Sequence, residues 1–559
     1  MFIKKPHSTI EIARLTHPKQ ILGLATKAGI NGDELELYGN YKAKVSLGVL
    51  QRLKQRPDGK LILVSAMTPT RYGEGKTCIS IGLTQALGRL KKRVFLCLRE
   101  PSLGPAFGMK GGGCGGGYAQ ILPMEDVNLH FTGDIHAITA AHNLLSAIID
   151  NHLAKGNELK LDPKRVIWRR AIDLCDRSLR DIQVGLSEGA VRRRDSFDIT
   201  AASEIMACLA LTTGYKDLKE RLDRIIVGFT TKGRAVSASE LKVVGAMTAL
   251  LKDAIKPNLV QTLEGQPVLV HMGPFGNIAH GTNSVLATKL ALKLADYAVI
   301  ETGFGTDLGL EKFCDVVSRQ GKLKPDCAVV VATARAVKSH GGSKDEDLGK
   351  ENLEALEEGL SNLKRHIENV KKFGIWPVVA INKFPDDSDK ELNRIREFCR
   401  SEGVLAEVAD VVASGGEGGI KLAEAVLATL QEHPSKFKPL YGPELPIKDK
   451  IDNIAREIYG AEGAVYVGTS EDDIVFLTEN AFDKLPVNMA RTHLSFTDDP
   501  KVKGAPTGWR LKVREIKVSA GAGFLIALTG ELNLMPGMPK TPITERINID
   551  DEGNITGLF

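Results

Sequence analysis

The chain has 559 residues, more than one hydrophobic core organises, and suggests roughly three or four domain-sized units. Its 43% hydrophobic and 26% charged content is that of a globular chain and excludes wholesale disorder. A formal charge of +5, from 74 basic and 69 acidic residues, suits anionic small molecules and does not argue for nucleic acid or a membrane surface as partner.

No apolar run reaches the roughly 18 residues of a membrane span. The opening Met1-Phe2-Ile3-Lys4-Lys5-Pro6-His7 has no apolar stretch after its lysines, so no signal peptide is expected and the location reads as cytoplasmic. The eight cysteines form no C-x-x-C pair and fit no zinc spacing. They read as free thiols of a reducing compartment.

The first strong element is the apolar run Leu61–Ala66, which predicts a buried strand. It leads into Thr70-Arg71-Tyr72-Gly73-Glu74-Gly75-Lys76-Thr77 and then a helical pattern over Ile79–Leu90. Strand, glycine turn and helix in this order form the context of a phosphate-binding loop. Glycines let backbone N–H groups converge on a phosphate, and the helix N-terminus adds positive potential. Lys76 would reach the β- and γ-phosphates, and the Thr77 hydroxyl would help hold Mg²⁺. The usual pattern has glycine where Thr70 stands.

A second strand, Val94–Leu98, ends in Arg99-Glu100-Pro101-Ser102-Leu103-Gly104-Pro105. One crossover from the phosphate loop, the planar fork of Arg99 suits a carboxylate or a transferring phosphoryl group, or else a surface ion pair. Glu100 is a candidate Mg²⁺ or cation ligand. The run Lys110–Tyr118, with six glycines in seven positions, reads as a loop that approaches a ligand or as a flexible connector. His136 and His142 are six apart and do not share a helix face, which argues against a two-histidine metal site. His136 is taken as an acid/base or hydrogen-bonding candidate.

Further strands are expected at Pro267–Met272, Ala298–Glu301, Ala328–Ala332, Pro377–Ile381 and Val404–Val408, alternating with helices as in a parallel α/β sheet. Ligands on such sheets gather at the carboxyl ends of the strands. There stand Phe304, which can line a pocket for a flat ligand, Asp307, a candidate cation ligand, and Asn382-Lys383-Phe384. Asn382 and Lys383 can flank a purine base, and Phe384 offers a flat face. The stretch from about 155 to 255 breaks the rhythm and reads as a mostly helical insertion, with helices at Ala201–Leu211 and Glu240–Leu251. Runs at Ala464–Val467, Asp473–Leu477 and Gly523–Leu528 suggest a separate C-terminal unit. The fold class is therefore α/β: a P-loop parallel sheet with helices on both faces, a helical insertion and a smaller C-terminal α/β domain. The boundaries are read as 1–365, 366–445 and 446–559.

These landmarks, with Met124–Asp134, Phe197–Thr200, Gly273–Gly281 and Ala520–Phe524, closely resemble the formate–tetrahydrofolate ligase family over nearly the whole chain. The resemblance implies ATP-dependent formation of 10-formyltetrahydrofolate through formyl phosphate. It also implies Mg²⁺, a monovalent cation and commonly a homotetramer, with tetrahydrofolate, possibly polyglutamylated, and formate as substrates. By the same resemblance Lys76 binds phosphate, Arg99 binds formyl phosphate and Phe384 packs on the pterin. The chain departs from the family in Asp410–Gly419. Val412 replaces the tryptophan that supplies a second pterin face, and Ser414 replaces a lysine. Either another aromatic substitutes, or the acceptor is a different reduced pterin. A nucleotide switch without a small-molecule product is the reading from another class, and it leaves the Arg99 and Phe384 loops without a task.

Overall fold

The structure, a computed structural model, describes residues 8–108, 112–530 and 533–558. Lys110 and Gly111 of the glycine run lie outside the described residues, as does the Met1–His7 segment.

Seven parallel strands carry the fold: β1 (Lys60–Ala66), β2 (Val94–Leu98), β3 (Pro267–Val270), β4 (Tyr297–Gly305), β5 (Cys327–Ala332), β6 (Trp376–Asn382) and β7 (Ala406–Ala409). Their spatial order is β3-β2-β4-β1-β5-β6-β7, every neighbour parallel. All seven correspond to strands expected from the sequence. Beyond β3 the sheet turns antiparallel through Asn258–Thr262, Ala43–Val45 and Leu35–Leu37, so the whole sheet is mixed.

Side-chain alternation divides the interior in two. Leu61 and Leu63 of β1 and Ala328 and Val330 of β5 join one apolar cluster; Ile62, Val64, Val329 and Val331 join another on the opposite face. Helices α1 (Lys76–Arg89) and α5 (Ile420–Glu432) cover the second face. Helices α2 (Asp134–Ala154), α3 (Val285–Leu294) and α4 (Leu353–Lys372) contribute to the first. Strands buried on both faces read as continuous apolar runs, which is why they were visible in the sequence.

Two expectations change, and one run of the C-terminal part proves helical. The stretch 155–255 is not mostly helical: short strands such as Leu161–Val166, Phe197–Ile199 and Ile226–Thr230 alternate there with helices Glu204–Leu211, Tyr215–Arg224 and Val244–Leu250. The boundary at 365 falls inside α4, and β6 pairs with β5, so residues 366–445 continue the main sheet instead of forming a second domain. Asp473–Leu477 lies within the helix Ser470–Glu479.

The C-terminal part has its own three-stranded sheet, Val487–Ala490, Glu515–Ser519 and Phe524–Leu528, yet its apolar residues merge with the first core. A buried ion pair locks the junction. Arg491 donates to Asp307 at 2.8 Å and to the Ser495 carbonyl at 2.6 Å, and its guanidinium lies 4.2 Å from the Tyr459 ring centroid. Removing one member of a buried pair leaves the other charge uncompensated, at about 3–5 kcal/mol. Arg491→Met is therefore expected to lower unfolding free energy by about that amount. Chemical denaturation checks this, and a loss below about 1 kcal/mol would deny the pair its role at the junction.

Candidate functional site

The carboxyl ends of β1, β4, β5 and β6 meet around Thr70–Thr77, the loop expected from the sequence to bind phosphate. Gly73 and Gly75 adopt left-handed φ values of 79° and 73°. A side chain at 75 would run into the Asn382 amide, so the loop needs glycine there for space as well as for conformation. Thr70 is not among the left-handed residues, so the loop accepts threonine where the pattern has glycine. Gly75 forms the N-cap of α1 without a side-chain cap, and Lys76 is the first helical residue. This is the uncapped helix N-terminus that favours an anion.

Neighbouring elements brace the loop. Glu74 is buried; its carboxylate accepts from the Thr70 N–H at 2.6 Å and from the Thr333 hydroxyl. Its negative charge is thus held within the protein by donors from both sides. The Asn382 amide donates to the Glu74 carbonyl at 3.0 Å, so the β6 residue expected beside a base also positions the loop. Thr68 is fixed by α4, its N–H donating to His366 Nε2 at 2.7 Å and its hydroxyl accepting from Asn362 at 3.1 Å. Arg71 and Tyr72 are exposed at the loop tip, where Arg71 pairs with Asp345 at 3.1 Å and Tyr72 accepts from Arg71.

Sheet order brings Arg99 to this loop. Strand β4 lies between β1 and β2, so Glu301 on β4 stands between Thr77, beyond β1, and Arg99, beyond β2. The Thr77 hydroxyl donates to Glu301 Oε2 at 2.6 Å, and Arg99 Nη2 lies 3.5 Å from Glu301 Oε1. Arg99 also donates to the Pro274 carbonyl at 3.3 Å. Glu301 was not singled out by sequence reasoning, because the order of strands in space is not written in their order along the chain.

The aromatic candidates occupy the same edge. After a register shift between Glu301 and Gly305, Phe304 takes φ 58° and stacks on His493 with ring centroids 4.3 Å apart. Such an irregularity re-aims side chains beside a site. The Arg335 guanidinium lies 4.5 Å from the Phe384 centroid and covers one face of that ring. The Lys383 N–H donates to the Ala409 carbonyl at 3.1 Å, tying Phe384 to the end of β7, from which the Val412 turn departs. Val412 is 41% exposed, and its carbonyl accepts from the Tyr118 N–H at 2.9 Å. An exposed tyrosine thus stands beside Val412.

Other candidates lie apart from this cluster. Glu100 is buried, and burial followed by the neighbouring Asp134 raises its carboxyl well above the usual range. Asp134 itself is tied to buried Lys44 at 2.6 Å. Asp307 is committed to Arg491, which removes it as an accessible cation ligand. His136 is exposed on α2, with no hydrogen bond to the phosphate loop among the described residues. His142 is structural: it hydrogen-bonds Ser203 at 2.8 Å and stacks on Trp168, and burial lowers it to about 4. No group of three or more His, Cys, Asp or Glu side chains forms a metal site among the described residues. No helix among them is long and apolar enough to cross a membrane.

The sequence pattern of one family, formate–tetrahydrofolate ligase, matches residues 7–559. The chain belongs to this family. The ligase joins formate to tetrahydrofolate at the expense of ATP, giving 10-formyltetrahydrofolate.

Lys76→Ala in this ligase is expected to lower turnover by at least about 100-fold, through loss of charge on the transferring phosphate, with the fold intact. Steady-state ADP release and circular dichroism check this. Near-normal turnover would reject the phosphate-loop assignment.

Proposed function

We propose that the carboxyl edge of β1, β4 and β6 is the site of formyl phosphate formation, with the phosphate loop on ATP and Arg99 on the acyl phosphate. The observation that carries this reading is the Thr77–Glu301–Arg99 link, which sets a cationic fork beside a helix N-terminus. Formate resists acyl transfer because its carboxylate is resonance-stabilised and lacks a leaving group. Phosphorylation supplies one. Loop N–H groups and Lys76 hold the phosphate chain of ATP. The Arg99 fork orients formate and then holds formyl phosphate while the N10 amine of tetrahydrofolate attacks the formyl carbon and phosphate leaves.

Mg²⁺ belongs to this reading. A hydroxyl and a carboxylate 2.6 Å apart, on Thr77 and Glu301, suit a hard cation. These residues would hold it, and bound there it would neutralise charge on the transferring phosphoryl group. Glu301 thus takes the place first assigned to Glu100. A monovalent cation, a homotetramer and a cytoplasmic setting complete the proposal. Eight cysteines without a disulfide support the last.

The pterin is assigned to Phe384 and the Val412 turn, with Tyr118 supplying the aromatic contact that Val412 lacks. A different reduced pterin is the second reading, favoured by Val412 itself. ADP release that requires both formate and a reduced pterin, compared across several pterins, tests both readings. Release without either substrate would point to a nucleotide switch.

Arg99→Ala is expected to abolish formate-dependent turnover while leaving ATP affinity within about threefold, since the guanidinium acts on the acyl phosphate. Collapse of ATP affinity alone would show the role misassigned. Val412→Trp is expected to lower the folate KM several-fold, because an aromatic pair is worth about 0.5–1.5 kcal/mol beyond its area. The ATP KM should stay constant. An unchanged folate KM in a folded variant would remove position 412 from the pterin site.

A further inference from the structure

A lysine-lined recess lies across the sheet from the proposed ligase site. Leu50, Lys54 and Asp58 precede β1, Lys289 and Lys293 lie on α3 ahead of β4, and Lys322 precedes β5. These segments therefore meet at the amino ends of the parallel strands. With Thr213 and Leu323 they line an open recess of about 400 Å³. That volume is within the range of small-molecule sites.

Its charge is unbalanced. Four lysines line the cavity against one carboxylate, Asp58, which Lys293 engages at 2.9 Å. Lys54, Lys289 and Lys322 have no acidic partner within ion-pair distance among the described residues. Lys289 is half-buried, and burial followed by the Lys322 charge lowers its ammonium below the ordinary range. Lys322 sits at φ 53°, a left-handed position that favours glycine and that lysine occupies at a cost. Lys54 and Lys322 are exposed at the mouth of the recess, and Lys289 lies deeper, so the three ammonium groups face one space that an anion could share.

A second lobe of about 270 Å³ continues from the first across Leu50, Gln51 and Thr213. It adds Leu47 and Tyr215, the latter 40% exposed. The recess thus has a cationic end and an apolar, aromatic end.

We propose that this recess is a second ligand site, taking a phosphate-bearing small molecule of the nucleotide class, with its phosphates on Lys54, Lys289 and Lys322 and its flat body against Leu47 and Tyr215. It lies across the sheet from the phosphate loop, so its occupancy is read separately from catalysis.

Amine acylation of the full-length protein followed by mass spectrometry tests this, with ADP and inorganic pyrophosphate as probes. ADP is expected to protect Lys54, Lys289 and Lys322 saturably at submillimolar concentration, and more tightly than pyrophosphate. The double variant Lys289→Ala/Lys322→Ala should lose the protection of Lys54 while its turnover without added effector stays at the wild-type level. Equal protection by both probes would remove the apolar lobe from the proposal. Protection reproduced by sodium chloride at matched ionic strength, or no protection, would overturn it. Protection that grows with protein concentration alone would also overturn it, by showing that a second copy of the chain covers the recess.

Discussion

The Glu301 carboxylate is the constraint on which the site depends. One oxygen accepts the Thr77 hydroxyl at the start of α1, and the other faces the Arg99 guanidinium. A carboxylate beside a phosphate site is costly unless its charge is used, and here it is used twice. It keeps the arginine fork near the start of α1, and in the proposed reading it would offer an oxygen to a cation shared with Thr77. The link exists because β4 lies between β1 and β2, so the crossover order of the sheet, more than any loop, brings the two anion-handling groups together.

Around this centre the fold supplies rigidity by commitment of buried polar groups. Glu74 is held by Thr70 and Thr333, Thr68 by His366 and Asn362, and Asp307 by Arg491. The first two join the loop to the end of β5 and to α4, and the third joins the end of β4 to the C-terminal sheet. Sites placed on such elements hold geometry better than free loops, and acyl phosphate chemistry needs this because water competes for the intermediate.

The parts legible in the sequence share a physical signature. The seven strands showed themselves as apolar runs because both faces are buried, and the turn between β1 and α1 did so because glycine is required where φ is positive. The insertion did not. Its strands are as short as Arg170–Ile172 and carry polar residues, so no alternation distinguishes them from turns. Glu301 was hidden because pairing order is a property of the folded sheet. Asp307 looked like a free turn carboxylate because its partner is 184 residues away along the chain. The 365 boundary cuts α4, whose buried face carries Leu356, Leu360, Leu363 and Ile367.

The most direct test of the Glu301 link is positional isotope exchange in ATP labelled with oxygen-18 at the β,γ-bridge, in the presence of formate and without folate. Exchange reports reversible phosphoryl transfer to formate on the enzyme, before the pterin enters. With Glu301→Gln, formate-dependent exchange should fall by at least about tenfold, the scale expected when a charged group aligning an anion clamp is lost. ATP binding should remain close to that of the wild type. Exchange at the wild-type rate in the variant would contradict the account, since Arg99 and the phosphate loop would then cooperate without the carboxylate between them.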